Sequence, residues 1–320
     1  MNPNQPLVLV LANNLNDPRF EMLKDLPHVI GDKAETFAQA TADASVILNW
    51  SGSRDLASAV FHMCPGVHWV HSRTAGIDTF LFPELLASDI PLTNGSGVFS
   101  QSLGEFVLGV MLYFAKDFRR MIRNQEAGRW EQFVVEEIAG QTVGIVGYGD
   151  IGRAVATRAH AIGMRVLALK RHPPAIADPL VDEFFKPDEL AAMLGRCDCV
   201  VVSAPLTRET RHMISDPQFE SMKPSAVIIN VGRGPVIDQA ALVRALTEKK
   251  IRGAGLDVFE YEPIPEGDPI YKLENVLLSP HCADQTKDWM EQSMQFFLRQ
   301  YKHFSDGEPL KNVVKKKLGY

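Results

Sequence analysis

The sequence predicts an α/β protein built from two doubly wound, mainly parallel sheets, and three observations carry that expectation. Short aliphatic runs alternate with amphipathic segments along the chain. The later runs are apolar throughout, as strands covered on both faces must be. The chain is 320 residues long, about twice the length of a typical domain.

Composition narrows the function classes. Hydrophobic residues at 46% and charged residues at 22% suit packed cores and exclude a disordered chain. Lys+Arg 33 against Asp+Glu 39 leaves a net charge of −6, and the one basic run is Lys315 to Lys317, so nucleic acid is not an expected partner. No apolar run approaches the roughly 18 residues of a membrane span. Leu7 to Ala12 is too short, and lacks the basic flank, for a secretion signal. A cytoplasmic protein with no membrane partner is expected. Cys64, Cys197, Cys199 and Cys282 show no C-x-x-C spacing and no matching His pair, so no metal site is expected and the thiols should be reduced.

In chain order, strands are expected at Leu7 to Ala12, Val46 to Asn49 and Val67 to Val70, with helical segments at Pro18 to Leu26 and Asp55 to Met63 between them. After the loop Thr93 to Ser102, Ser102 and Glu105 have the spacing of a capping box, which predicts one long helix from Leu103 to about Asn124. Its apolar face around Phe106, Val110 and Phe114 suits either core packing or a subunit interface. A second series of strands follows at Thr142 to Val146, Arg165 to Leu169, Cys199 to Ser203, Ala226 to Val231, Gly255 to Val258 and Val276 to Leu278. Helices are expected between them at Ile151 to Ile162, Asp188 to Leu194 and from the capping Asp238 to about Lys249. A final helix, Lys287 to His303, has no assigned sheet.

The run TVGIV passes directly into Gly147-Tyr148-Gly149-Asp150-Ile151-Gly152 and then into a helical pattern. Strand before and helix after is the context in which a G-x-G-x-x-G run binds a dinucleotide. Gly147 serves the tight turn, Gly149 lets backbone approach a pyrophosphate, and Gly152 allows close helix packing. Helix N-terminal amides then face the anion. An NAD site usually has an acidic residue at the end of the next strand. Here Lys170 and Arg171 stand there instead, which suits the 2′-phosphate of NADP(H); NAD(H) stays open.

Three further segments fall where strand ends meet loops, the ligand-binding edge of an open sheet. Ile228 to Asp238, Leu256 to Pro265 and Leu277 to Thr286 each carry one residue suited to proton or anion chemistry: Arg233, Glu262 and His281.

These segments, with GYGDIG, Ala204 to Ile214 and Ser72 to Asp78, resemble the D-isomer-specific 2-hydroxyacid dehydrogenases, in the branch of the glyoxylate/hydroxypyruvate reductases. The resemblance implies two Rossmann/flavodoxin-like domains with an interdomain cleft: a discontinuous substrate domain of residues 1–100 plus 285–320, and a dinucleotide-binding domain of residues 101–284. It places the catalytic arginine on Arg233, the glutamate on Glu262 and the histidine on His281. Reducing a 2-keto acid needs a proton donor and a carboxylate anchor. His281 fits the donor, with Glu262 orienting its ring, and Arg233 fits the anchor. The resemblance also implies that the amides of Ala75 and Gly76 bind the substrate carboxylate, beside the Asn49 to Gly52 tip. Ala204, Pro205 and Thr210 would line the adenosine side, Val231 and Asp257 would lie near the nicotinamide, and Gly232 would also contact the cofactor. The resemblance implies a D-specific reductase of a small 2-keto acid that forms a homodimer. The rivals are a dinucleotide-sensing corepressor and an NAD-linked dehydrogenase of another 2-hydroxy acid. Cys282 to Thr286 departs from the small residues that many relatives carry after the histidine.

Overall fold

In a computed structural model that describes residues 5–176 and 178–319, the chain divides into two compact units, Met1–Phe99 with Lys287–Tyr320, and Ser100–Thr286. Both are α/β units with wholly parallel sheets.

The first unit holds β1 (Leu7–Leu11), β2 (His28–Gly31), β3 (Ala44–Asn49), β4 (Trp69–Ser72) and β5 (Leu92–Asn94), in the order β2-β1-β3-β4-β5. That is the flavodoxin-like order. Strand side chains alternate between faces. Leu9, Leu11 and Ile47 enter one core with Val60 and Leu85, while Val8, Val10, Val46 and Leu48 enter another with Met294, Phe297 and Tyr301. The helix Trp289–Ser305 therefore belongs to this sheet. Burying a side chain such as Phe297 there contributes about 1.5–3 kcal/mol.

The second unit holds β6 (Thr142–Val146), β7 (Arg165–Leu169), β8 (Glu183–Phe185), β9 (Cys199–Val202), β10 (Val227–Asn230), β11 (Gly253–Leu256) and β12 (Val276–Leu278), ordered β12-β11-β10-β9-β6-β7-β8. The order reverses between β6 and β9, which is the topological switch point of a Rossmann sheet. The glycine turn follows β6 at that point.

The strands absent from the expectations are β2, β5 and β8, all at sheet edges. Each is only three or four residues long, and β2 and β8 are partly exposed, so neither length nor hydrophobicity marks them in the sequence.

The single helix expected over Leu103 to Asn124 is two helices, Ser100–Ala115 and Phe118–Glu126. Asp117 separates them with φ +50, a left-handed conformation that Asp tolerates, and its side chain caps the second helix at Arg120 N. Ser102 lies inside the first turn rather than before it, and its hydroxyl donates to the Ala283 carbonyl at 2.5 Å. Val110 and Phe114 pack on β11, within 2.3 and 2.4 Å of where Gly255 and Gly253 would carry a Cβ. Those two side chains belong to the unit's own core. The strand expected at Gly255 to Val258 starts and stops two residues earlier, which leaves Asp257 at the strand end.

Candidate active site

The turn after β6 has the geometry that its glycines predict. Gly147 has φ +96, and a Cβ on it would stand 2.6 Å from the Ala204 backbone. A Cβ on Gly152 would meet the Gly147 carbonyl at 2.7 Å, so the helix Asp150–Ala161 can approach the strand only with glycine there. Gly149 is exposed and a Cβ on it would touch nothing within 4 Å. Open space above this residue, with the helix N-terminal amides beside it, fits a dinucleotide pyrophosphate. Gly232 closes the same junction, since its Cβ would lie 2.7 Å from Ala204 O.

Tyr148 is buried, and its hydroxyl donates to Asp178 at 2.9 Å. Its ring packs edge-on against Phe184, so its backbone, not its side chain, faces the turn. Burial, followed by the Asp178 carboxylate, pushes the Tyr148 phenol well above its usual range. Lys170 Nζ lies 5.7 Å from the Tyr148 ring centroid, and Arg171 pairs with Glu209 at 3.6 Å. Asp178, which the sequence reading passed over, also accepts from Arg153 Nε at 3.0 Å and from Leu180 N at 3.1 Å. Thr210 organises its own loop, donating to Pro205 O at 2.6 Å and accepting from Thr207 N at 2.8 Å. Asp150 and Ile151 open the helix, and Val231 is buried at the end of β10.

His281 has φ +53, a left-handed conformation rare for a residue with a Cβ. Asp257 holds the turn that presents it. Its Oδ1 accepts from Ser279 Oγ at 2.6 Å, Cys282 N at 3.0 Å and Ala283 N at 3.1 Å, and the residue is 1% exposed. Capping local amides is thus one role of Asp257. His281 Nδ1 lies 2.6 Å from Glu262 Oε2, while Glu262 Oε1 accepts from Phe259 N at 2.8 Å. An ionised carboxylate only accepts, so Nδ1 carries the hydrogen and Nε2 is the ring nitrogen presented outward.

Arg233 follows β10 and donates from Nη1 to the Gly232 carbonyl at 2.9 Å. Its own carbonyl accepts from Asn230 Nδ2 at 3.1 Å. Asp284 lies within electrostatic reach of both Arg233 and His281. Burial lifts its carboxyl above the ordinary range, His281 and Arg233 oppose that lift, and Asp257 adds to it. The structure thus joins Glu262 to His281 directly and brings Arg233, Asp257 and His281 within electrostatic reach of one carboxyl. Asp284 falls within the departure noted in the sequence, but only its burial marks it out.

In the first unit, Ala75 and Gly76 lie in a turn after β4. Thr74 Oγ1 donates to Gly76 O at 2.9 Å, and Asn94 Nδ2 donates to Ala75 O at 2.6 Å.

Residues 108–283 match the family described as D-isomer specific 2-hydroxyacid dehydrogenase, NAD binding domain. The chain is 32% identical over 293 residues to the glyoxylate reductase of Thermococcus gammatolerans, covering 89% of this chain and 86% of that protein. It is 34% identical over 273 residues to glyoxylate/hydroxypyruvate reductase B of Citrobacter koseri, covering 82% of each. Among solved structures it is similar to the NADPH-dependent glyoxylate/hydroxypyruvate reductase of Sinorhizobium meliloti, in complex with NADP and sulfate. That likeness has a TM-score of 0.83 at 26% identity and covers 99% of this chain and 100% of that one.

Proposed function

This chain belongs to the D-isomer specific 2-hydroxyacid dehydrogenase family, and on that premise we propose that it reduces small 2-keto acids, glyoxylate and hydroxypyruvate first, to D-2-hydroxy acids with NADPH. The observation that carries the reading is the Glu262–His281 pair at 2.6 Å, presented by a loop that Asp257 holds rigid. A dinucleotide-sensing protein has no need of an oriented imidazole.

The dihydronicotinamide, when bound, supplies the hydride to the keto carbon. Arg233 grips the substrate and draws charge onto the keto oxygen, where a planar guanidinium is worth most in a water-poor site. His281 delivers the proton from Nε2 to that oxygen, and takes one back in the oxidative direction. Glu262 fixes the ring and stabilises its cationic form. The amides of Ala75 and Gly76 have the proposed role of holding the substrate carboxylate.

NADPH is favoured over NADH by Lys170 and Arg171, and by the engagement of Asp178 with Tyr148, Arg153 and Leu180, which occupies a nearby carboxylate. Proposed cofactor contacts beyond the glycine turn remain Ala204, Pro205, Thr210, Val231, Gly232 and Asp257. A homodimer is part of the proposal. Trp130 and Val134 are 94% and 95% exposed on an irregular segment, and large apolar side chains in that state suit a second copy. So is a cytoplasmic setting, consistent with free thiols of which burial pushes Cys64 up to about 11 and Cys197 up to about 12.

The test is a panel of 2-keto acids against both reduced nicotinamides, followed by loss of nicotinamide absorbance. Oxidation of NADPH by glyoxylate or hydroxypyruvate is expected, and inertness toward every 2-keto acid overturns the proposal.

A further inference from the structure

The first unit contains a half-buried cation that the chemistry above does not use. Arg73 directly follows β4, and its guanidinium carbon lies 5.2 Å from the ring centroid of Trp50 and 5.3 Å from that of Trp289. Its Nε is buried without a hydrogen-bond partner among the described residues. Burial pulls its pKa below the ordinary guanidinium value, and the nearby Asp17 only partly opposes this.

Asp17 is already engaged. Its Oδ1 accepts from Arg19 N at 3.0 Å and lies 2.6 Å from Arg19 Nε. Its Oδ2 accepts from Trp50 Nε1 at 2.9 Å and from Arg19 Nη2 at 3.1 Å. Asp17 thus bonds Arg19 and Trp50 and reaches Arg73 only through space, so among these three charged groups one positive charge is in excess. A second donor stands at the adjoining strand end. Asn49 is 1% exposed, its Oδ1 accepts from Ser51 Oγ and Gly52 N, and its Nδ2 is buried with no partner among the described residues. The Arg73 amide donates to the Asn49 carbonyl at 3.3 Å, so both donors arise from neighbouring ends of β3 and β4.

A half-buried guanidinium whose Nε has no partner and a buried amide nitrogen that has none are costly unless an anion meets them. They sit at the carboxyl end of a parallel sheet, the edge where such sheets take ligands. The two indoles cover part of the guanidinium, and the lower local dielectric strengthens any ion pair made there. One surplus charge matches one carboxylate, whereas a phosphate dianion would leave a negative charge behind.

Arg73 immediately precedes the Thr74 to Gly76 turn. We infer that Arg73, with Asn49, reads a second, distal carboxylate on the substrate, so that among the longer 2-keto acids those ending in a carboxylate are favoured over their methyl-ended counterparts. The inference rests on the proposed role of that turn in holding the first carboxylate.

The test compares matched pairs with NADPH: oxaloacetate against 2-oxobutanoate, and 2-oxoglutarate against 2-oxopentanoate. The wild-type enzyme should favour at least one dicarboxylate over its methyl-ended counterpart by about tenfold or more in kcat/KM, as a charged hydrogen bond implies. R73Q should remove that ratio, and R73K should keep part of it, since charge remains without the planar fork. Equal turnover of both members of each pair by the wild type overturns the inference, whatever the variants do. So does a ratio that survives R73Q in protein whose thermal melt shows it folded. If glyoxylate is reduced but no dicarboxylate is favoured, the inference alone fails; if no 2-keto acid is reduced at all, the proposed function fails with it.

Discussion

Gly234 lies against the carbonyl of Phe259 so closely that a Cβ on it would stand 1.8 Å from that oxygen and 2.6 Å from Glu260 N. The contact presses the turn that carries Arg233 onto the loop that carries Glu262, because Phe259 N is the donor to Glu262 Oε1. G234A must separate the two. We expect kcat/KM to fall about a hundredfold, with a stability loss of about 1–3 kcal/mol from the forced shift. Wild-type kcat/KM in the folded variant would show that this contact does not position the machinery.

H281A should lower kcat by about two to four orders of magnitude, the usual worth of a positioned proton donor. Binding of NADPH, measured by fluorescence, should change little. E262Q keeps the shape but removes the charged acceptor that orients the His281 ring, so it should lower kcat by about ten- to a hundredfold. An unchanged kcat in the folded variant would leave Glu262 without a part in proton transfer.

Replacing Lys170 and Arg171 together by Ala should raise the KM for NADPH by about ten- to a hundredfold, the value of one or two charge-assisted contacts. The KM for NADH should move far less. Equal changes for both nicotinamides would remove the argument for a 2′-phosphate site.

His71 is fully buried between Trp69, Phe296 and Phe297, with its Nδ1 2.7 Å from Thr93 Oγ1. Burial lowers its pKa from 6.5 to about 3. The unfolded chain therefore binds a proton that the folded chain refuses between those values, and stability falls as pH drops through that window. The loss approaches about 4 kcal/mol at its lower end. Above pH 6.5 the neutral ring contributes no such dependence. Urea melts should show H71F to be less sensitive to acid than the wild type; parallel pH dependences would discount the histidine.

Much of the site is legible in residue order because its constraints are local. The G-x-G-x-x-G run names its own backbone needs, and the structure shows Gly147 and Gly152 at positions with no room for a Cβ. Arg233, Glu262 and His281 follow strand ends, which a period of alternating elements locates. The edge strands β2 and β8 are not legible in this way, because a short, partly solvated strand lacks the apolar run that marks an interior one, whereas the edge strand β12 keeps its Val-Leu-Leu run and is.

By itself the sequence determined two α/β units, the glycine turn and the residues able to do proton and anion chemistry, since each follows from residue type, spacing and neighbours along the chain. Only the tertiary structure decided that Asp117 breaks a helix, that Asp257 Oδ1 gathers three donors from the histidine loop, and that Arg73 lies against the rings of Trp50 and Trp289 with its Nε unpartnered among the described residues. Burial and charge balance depend on which distant segments pack together, and spacing along a chain carries no record of that.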